Sequence, residues 1–146
     1  MSDYYVTLPD GTNATSDTEG IVTKVTTLTA NYTLTVQDSG KTFLIATDAL
    51  VITLPDTVAG LEYTFMNSGA DGNNIITVSP AAADGISGTV TLAATVVSLS
   101  GVVDKDLINT KATSISGDTS KIIGTGVAGT EAWLLSGSTG IWISEA

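Results

Sequence analysis

Apolar and polar residues alternate through most of the chain, and the alternation predicts strands, because successive side chains on a strand point to opposite faces. Tyr32, Leu34 and Val36 alternate with Thr33 and Thr35, which reads as a half-buried strand, and Asp38-Ser39-Gly40 then turns the chain. Phe43-Leu44-Ile45 is a second strand. Leu50, Ile52 and Leu54 alternate with Val51 and Thr53 in a third that Pro55 ends, since proline has no N–H for the ladder. Leu61, Tyr63 and Phe65 form the inward face of the next, with Glu62 and Thr64 turned to water or a neighbouring chain. A Gly/Asp/Asn loop over residues 68–74, with Asp71-Gly72 at its tip, leads to the strand Ile75-Ile76-Thr77-Val78. Val90-Thr91-Leu92, residues 95–99, Lys121-Ile122-Ile123, residues 131–135 and Ile141-Trp142-Ile143 read as further strands, with a turn over residues 136–140. Residues 104–109 are the one place where a short helical turn is expected.

Helical spacing of apolar residues never persists beyond two turns, while turn signals recur every eight to twelve residues. The expected fold is therefore all-β, an antiparallel β-sandwich or a jelly-roll-like barrel. No exact internal repeat is present, which argues against a propeller or solenoid. Residues 1–20 are polar and broken by turn residues, and read as an extended N-terminal arm ahead of a single β domain over residues 21–146. The arm holds one extended piece, Tyr4-Tyr5-Val6-Thr7-Leu8, ending on Pro9. Adjacent aromatics have no core to enter there, so Tyr4, Tyr5, Val6 and Leu8 are candidates to anchor the arm on another surface; the competing reading packs them back on their own sandwich.

Composition narrows the chemistry. The 146 residues contain no cysteine, histidine or arginine, which excludes disulfides, thiolate nucleophiles, Cys/His zinc sites, imidazole bases and a serine hydrolase triad. Threonine and serine account for 39 residues, a composition suited to strands. Fifteen acidic residues against five lysines give a net charge of -10. Five scattered lysines cannot neutralise a run of phosphates, so neither nucleic acid nor an anionic membrane is an expected partner. The opening residues show neither a basic nor an apolar leader segment, and a chain without cysteine suits synthesis in a reducing cytoplasm. On that reading the Asn-x-Thr sequons at Asn13 and Asn31 reflect only a threonine-rich composition.

Three motifs carry apparent chemistry. Gly124-Thr-Gly126-Val-Ala-Gly129 matches the dinucleotide fingerprint, but that function needs a helix opening at the third glycine and an acidic residue about 20 positions on, and 17 residues remain, reading as a hairpin. Ser39-Gly40-Lys41-Thr42 resembles the end of a phosphate loop, yet Thr35 stands where its first glycine belongs. The clusters at Asp71–Asn74, Asp104–Asp106 and Asp10–Asn13 offer oxygens of the kind calcium takes, and equally the residues that cap tight turns; none carries the full twelve-residue calcium loop. A glycosidase would need paired carboxylates in an aromatic cleft, and the few aromatics are committed to strands. No cofactor or enzymatic activity is expected.

The run Tyr32-Thr-Leu-Thr-Val-Gln-Asp-Ser-Gly-Lys-Thr-Phe-Leu-Ile, continued by Val51-Ile-Thr-Leu-Pro55 and Gly60-Leu-Glu-Tyr-Thr-Phe65, resembles a family of small tailed-phage virion proteins, as does the closing Gly140-Ile-Trp142. The resemblance covers roughly residues 30–80 and the last fifteen or so; residues 82–120 depart from the pattern. It implies a capsid decoration, or cement, protein: a β-rich homotrimer on the outer surface of the virion, bound to the major capsid protein, made in the host cytoplasm and stabilising the head. The arm would attach by adding a strand to the sheet edge of a capsid subunit. A tail-fibre or receptor-binding module recognising host-surface glycan is the alternative.

Overall fold

The computed structural model describes residues 24–146 apart from residue 93, together with the backbone of residues 4–7 and 13–16. The molecule is all-β, two mixed sheets packed face to face as a sandwich. Strands β1 (Tyr4–Thr7) and β2 (Asn13–Ser16) pair antiparallel as a separate two-stranded sheet.

The next six strands alternate between the two main sheets. β3 (Val25–Leu28), β5 (Thr42–Ile45) and β7 (Glu62–Asn67) lie side by side in the larger one, while β4 (Tyr32–Thr33), β6 (Leu50–Thr53) and β8 (Ile76–Ser79) lie side by side in the smaller. All four pairings are parallel, so residues 25–79 wind as three turns, each laying one strand in each sheet. The all-β sandwich is as expected, and the correction is that its sheets are mixed where antiparallel pairing was expected. Equivalent positions are unevenly spaced: Val25, Thr42 and Thr64 share a register, as do Tyr32, Ile52 and Val78. The turns differ in length because the connections differ, and no fixed period survives in the sequence for a repeat search to find.

The rest of the chain extends both sheets. β9 (Asp84–Leu92), β10 (Thr95–Leu99), β12 (Thr119–Gly124) and β13 (Gly129–Thr139) complete a seven-stranded sheet in the order β10-β9-β13-β12-β7-β5-β3. β11 (Leu107–Asn109) and β14 (Trp142–Ser144) complete a five-stranded sheet in the order β14-β11-β8-β6-β4. Pairing here is antiparallel except between β13 and β9.

The core between the sheets holds Phe43, Ile45, Tyr63, Phe65, Ile122 and Trp133 from one side and Leu50, Ile52, Ile76, Val78, Leu107 and Trp142 from the other. Of the inward positions read from alternation, Leu34, Leu50, Ile52, Leu54, Leu61, Tyr63 and Phe65 are buried, whereas Tyr32 and Val36 are exposed. Parallel in-register pairing stacks like on like: Phe43 lies beside Phe65 with ring centroids 6.1 Å apart.

Three local readings change. The strand expected through Val36 stops at Thr33, and Val36–Asp38 form a 3-10 turn that leaves Val36 exposed. Residues 107–109, expected in a helical turn, form β11, and the second 3-10 turn lies at Lys111–Thr113. The turn expected over residues 136–140 belongs mostly to β13, because an irregularity between Lys121 and Ile122 lets the ladder with β12 continue to Thr139.

Candidate functional site

Tyr4, Tyr5 and Val6 of the candidate arm lie on β1, in register with Ser16, Thr15 and Ala14 of β2. Leu8 lies outside the described residues. The extended piece is thus one strand of a hairpin, and each strand's other edge carries no partner among the described residues.

The glycine loop is a β-connection. Gly124 ends β12, Gly129 opens β13, and the two strands pair antiparallel, so no helix opens at the third glycine. Each glycine has a packing or conformational reason. A Cβ on Gly124 would come within 2.4 Å of the Val58 carbonyl oxygen, and Gly126 and Gly129 have φ of +78° and +123°. Most of the loop amides are also already engaged. Gly126 N donates to Thr57 Oγ1 at 3.1 Å, Val127 N to Thr125 Oγ1 at 3.3 Å, and Gly129 N to the Ala83 carbonyl at 3.0 Å. A phosphate cradle needs amides directed at the ligand. What the loop does form is the wall of two open clefts. One, of about 420 Å³, runs from Thr125 to Glu131; the other, of about 330 Å³, lies between Asp56, Thr57, Asp84 and Gly126. Asp84 is buried and accepts a hydrogen bond from Thr57 N at 2.9 Å, so its carboxylate is a tie between segments.

The Ser39-Gly40-Lys41-Thr42 segment likewise serves the fold. Asp38 is buried, and one carboxylate oxygen accepts from Thr35 N at 2.9 Å and Thr35 Oγ1 at 3.0 Å. Its other oxygen takes Lys41 Nζ at 2.6 Å. Burial opposes the charge, but the hydrogen bonds from Lys41 and Thr35 outweigh it and hold the carboxyl below its ordinary value. Tyr63 donates its hydroxyl to the Thr35 carbonyl at 2.8 Å, and burial together with the Asp38 charge pushes that hydroxyl up to about 12. Lys41 of the motif, with Asp38 and Tyr63, therefore locks one turn of the winding.

The acidic loops do the work of turns. Asp71 accepts from Ser116 N at 2.9 Å, joining its loop to the segment before β12. Asp104 adopts φ of +60° and donates its N–H to the Asp84 carbonyl at 3.0 Å. No three acidic side chains among the described residues gather as a metal-holding group. Asp10 lies outside the described residues. Four of the five lysines are engaged in ion pairs, Lys41 with Asp38, Lys105 with Glu145, Lys111 with Asp48 and Lys121 with Glu62.

Sequence reasoning missed a polar cluster that ties the sheets together at one end of the core. Asn67, at the end of β7, donates to the Ile115 carbonyl at 3.3 Å and accepts from Asn74 Nδ2 at 3.2 Å. Asn109, at the end of β11, donates to Asp118 Oδ2 at 2.9 Å and to the Ile141 carbonyl at 3.0 Å. All four side chains are buried. Asn67 and Asn109 stand at inward positions of alternating strands, which is the only signal the sequence carried.

No family model matches this chain, and a search of curated proteins returns no match.

Proposed function

We propose that the chain is a non-enzymatic decoration protein of a tailed-phage capsid, a homotrimer on the outer virion surface that binds the major capsid protein and stabilises the head. The observation that supports this reading is the role of the residues that carry the resemblance. Asp38 and Lys41 pair across a turn, Gly40 and Gly60 supply φ of +83° and +86°, Phe43 and Phe65 stack, and Trp142 is buried with its Nε1 donating to the Thr139 carbonyl at 3.0 Å. These residues hold turns and strands of the frame together, which suits a protein whose task is to persist on a shell. Attachment is assigned to the arm, where β1 and β2, each with an edge that has no partner among the described residues, can add to a capsid subunit's sheet through main-chain hydrogen bonds.

The test compares the full chain with a version lacking residues 1–20, each incubated with expanded capsids of the source phage that lack the protein. Full-length protein is expected to co-sediment with capsids and raise their resistance to heat. The truncated protein is expected to keep its circular dichroism and melting temperature yet lose capsid binding. Unchanged binding after truncation would move the anchor to the body of the sandwich. An intact protein that ignores capsids but binds host-surface glycans on an array would replace decoration by the tail-fibre reading.

A further inference from the structure

The four outer strands of the two main sheets are not alike. At one edge of the five-stranded sheet β4 has two residues; at the other, three-residue β14 runs straight into Glu145, which is paired with Lys105. β3, at one edge of the seven-stranded sheet, is preceded by Lys24. Short strands and flanking charges are the devices that keep edges from pairing with other chains. β10, at the opposite edge, has neither: its five residues are Thr-Val-Val-Ser-Leu, and all but Leu99 are exposed.

The stretch of chain that contains β10 is equally bare of charge. From Gly85 to Val103 the chain runs 19 residues without an acidic or basic side chain, the longest such run in the sequence. Along it Val96 is 67% exposed, and Val97, Val102 and Val103 are also exposed. A chain of net charge -10 meets a copy of itself at an electrostatic cost almost anywhere else, because acidic surface would face acidic surface. Along this run that cost is low, and four exposed valines offer apolar contact.

We infer that the β9–β10 hairpin is the surface through which copies of this chain associate, with β10 of each copy covered by another copy. Adjacent residues on a strand point to opposite faces, so Val96 and Val97 leave both faces of the hairpin open. One partner on one face leaves the other valine in water. A hairpin seated between two others covers both, which a closed ring of at least three copies provides. This rests on the homotrimer reading only for copy number. A chain that assembles through β10 but ignores capsids overturns decoration and leaves this surface standing; a monomer that coats capsids does the reverse.

Light scattering on the full chain at high micromolar concentration should give a mass of three or more chains. Raising the salt should tighten the assembly, because salt screens repulsion between acidic bodies without weakening an uncharged contact. Val96→Asp should yield monomer with the circular dichroism of the parent. Val96→Thr, which keeps the strand-favouring shape, should weaken association by about tenfold, the effect of losing roughly 1.4 kcal/mol of apolar contact. Val127→Asp adds the same charge at another exposed valine, in the glycine loop, and should leave the assembly intact. The inference is overturned if the parent is monomeric, if Val96→Asp and Val96→Thr both associate like the parent, or if Val127→Asp dissociates the assembly as fully as Val96→Asp.

Discussion

Residues 25–79 and residues 84–144 each place strands in both sheets, but they fill the space between them by different means. The first segment crosses from sheet to sheet at every strand, and its inward positions are large side chains in parallel register, with Phe43 beside Phe65 and Leu50 beside Ile76. The second segment extends both sheets beyond β7 and β8 and uses close backbone approach as well as side chains. Gly124 lies against Val58, Gly140 against Asp118, and the far hairpin leaves valines in water. A parallel pair needs a long crossover, and here each crossover contains the strand of the opposite sheet, so sandwich and winding are one solution. Both segments thus fill the core with large side chains, Trp133 and Trp142 among them, and the second adds positions where only glycine fits.

The sharpest way to break that contrast is Phe65→Ala, which opens a void in the fully buried stack between Phe43 and the β12 strand. A loss of about 3–5 kcal/mol is expected in urea unfolding. Val127→Ala, at a valine 70% exposed in the second segment, should stay within about 0.5 kcal/mol of the parent. Glycine substitutions should rank the other way. Gly140 has φ of +85°, and an added Cβ would stand 2.0 Å from Asp118 Oδ1, so Gly140→Ala combines backbone strain with disruption of the polar cluster, costing about 3 kcal/mol. Gly40 has nearly the same φ, +83°, but nothing lies within 4 Å of its Cβ, so Gly40→Ala in the first segment should cost only about 1 kcal/mol in the same assay. A comparable loss at both positions would remove the distinction.

The smallest effect concerns acid. The Asp38 carboxyl titrates below its ordinary value of 3.8 in the folded chain, so the unfolded chain takes up this proton first as pH falls. The stabilisation from its contacts with Lys41 and Thr35 is present above about pH 4 and is lost as pH drops through the folded value. Urea midpoints measured between neutral pH and pH 3 should fall, and Asp38→Asn, less stable at neutral pH, should lose part of that slope. Asp48, held low first by its hydrogen bond to Lys111 and then by that from Ile75 N, adds to the slope in the same direction.

Alternation along single strands was enough to place Leu50, Ile52, Leu54, Tyr63 and Phe65 inside, because a side chain's face on a strand depends only on its parity. Turn residues such as Gly40 and Gly72 were legible for a similarly local reason, a backbone angle that glycine adopts freely. Partner choice between strands was not, since the same alternating segment satisfies a parallel or an antiparallel ladder, and only the crossing of successive strands between sheets selects the parallel one. The early end of β4 likewise depends on Asp38, whose carboxylate finds Thr35 and Lys41 only once the turn has closed. The uncharged run around β10 was written in the sequence, but its meaning was not: a run of valines and threonines reads as core until the tertiary structure sets it at an edge, exposed on both faces.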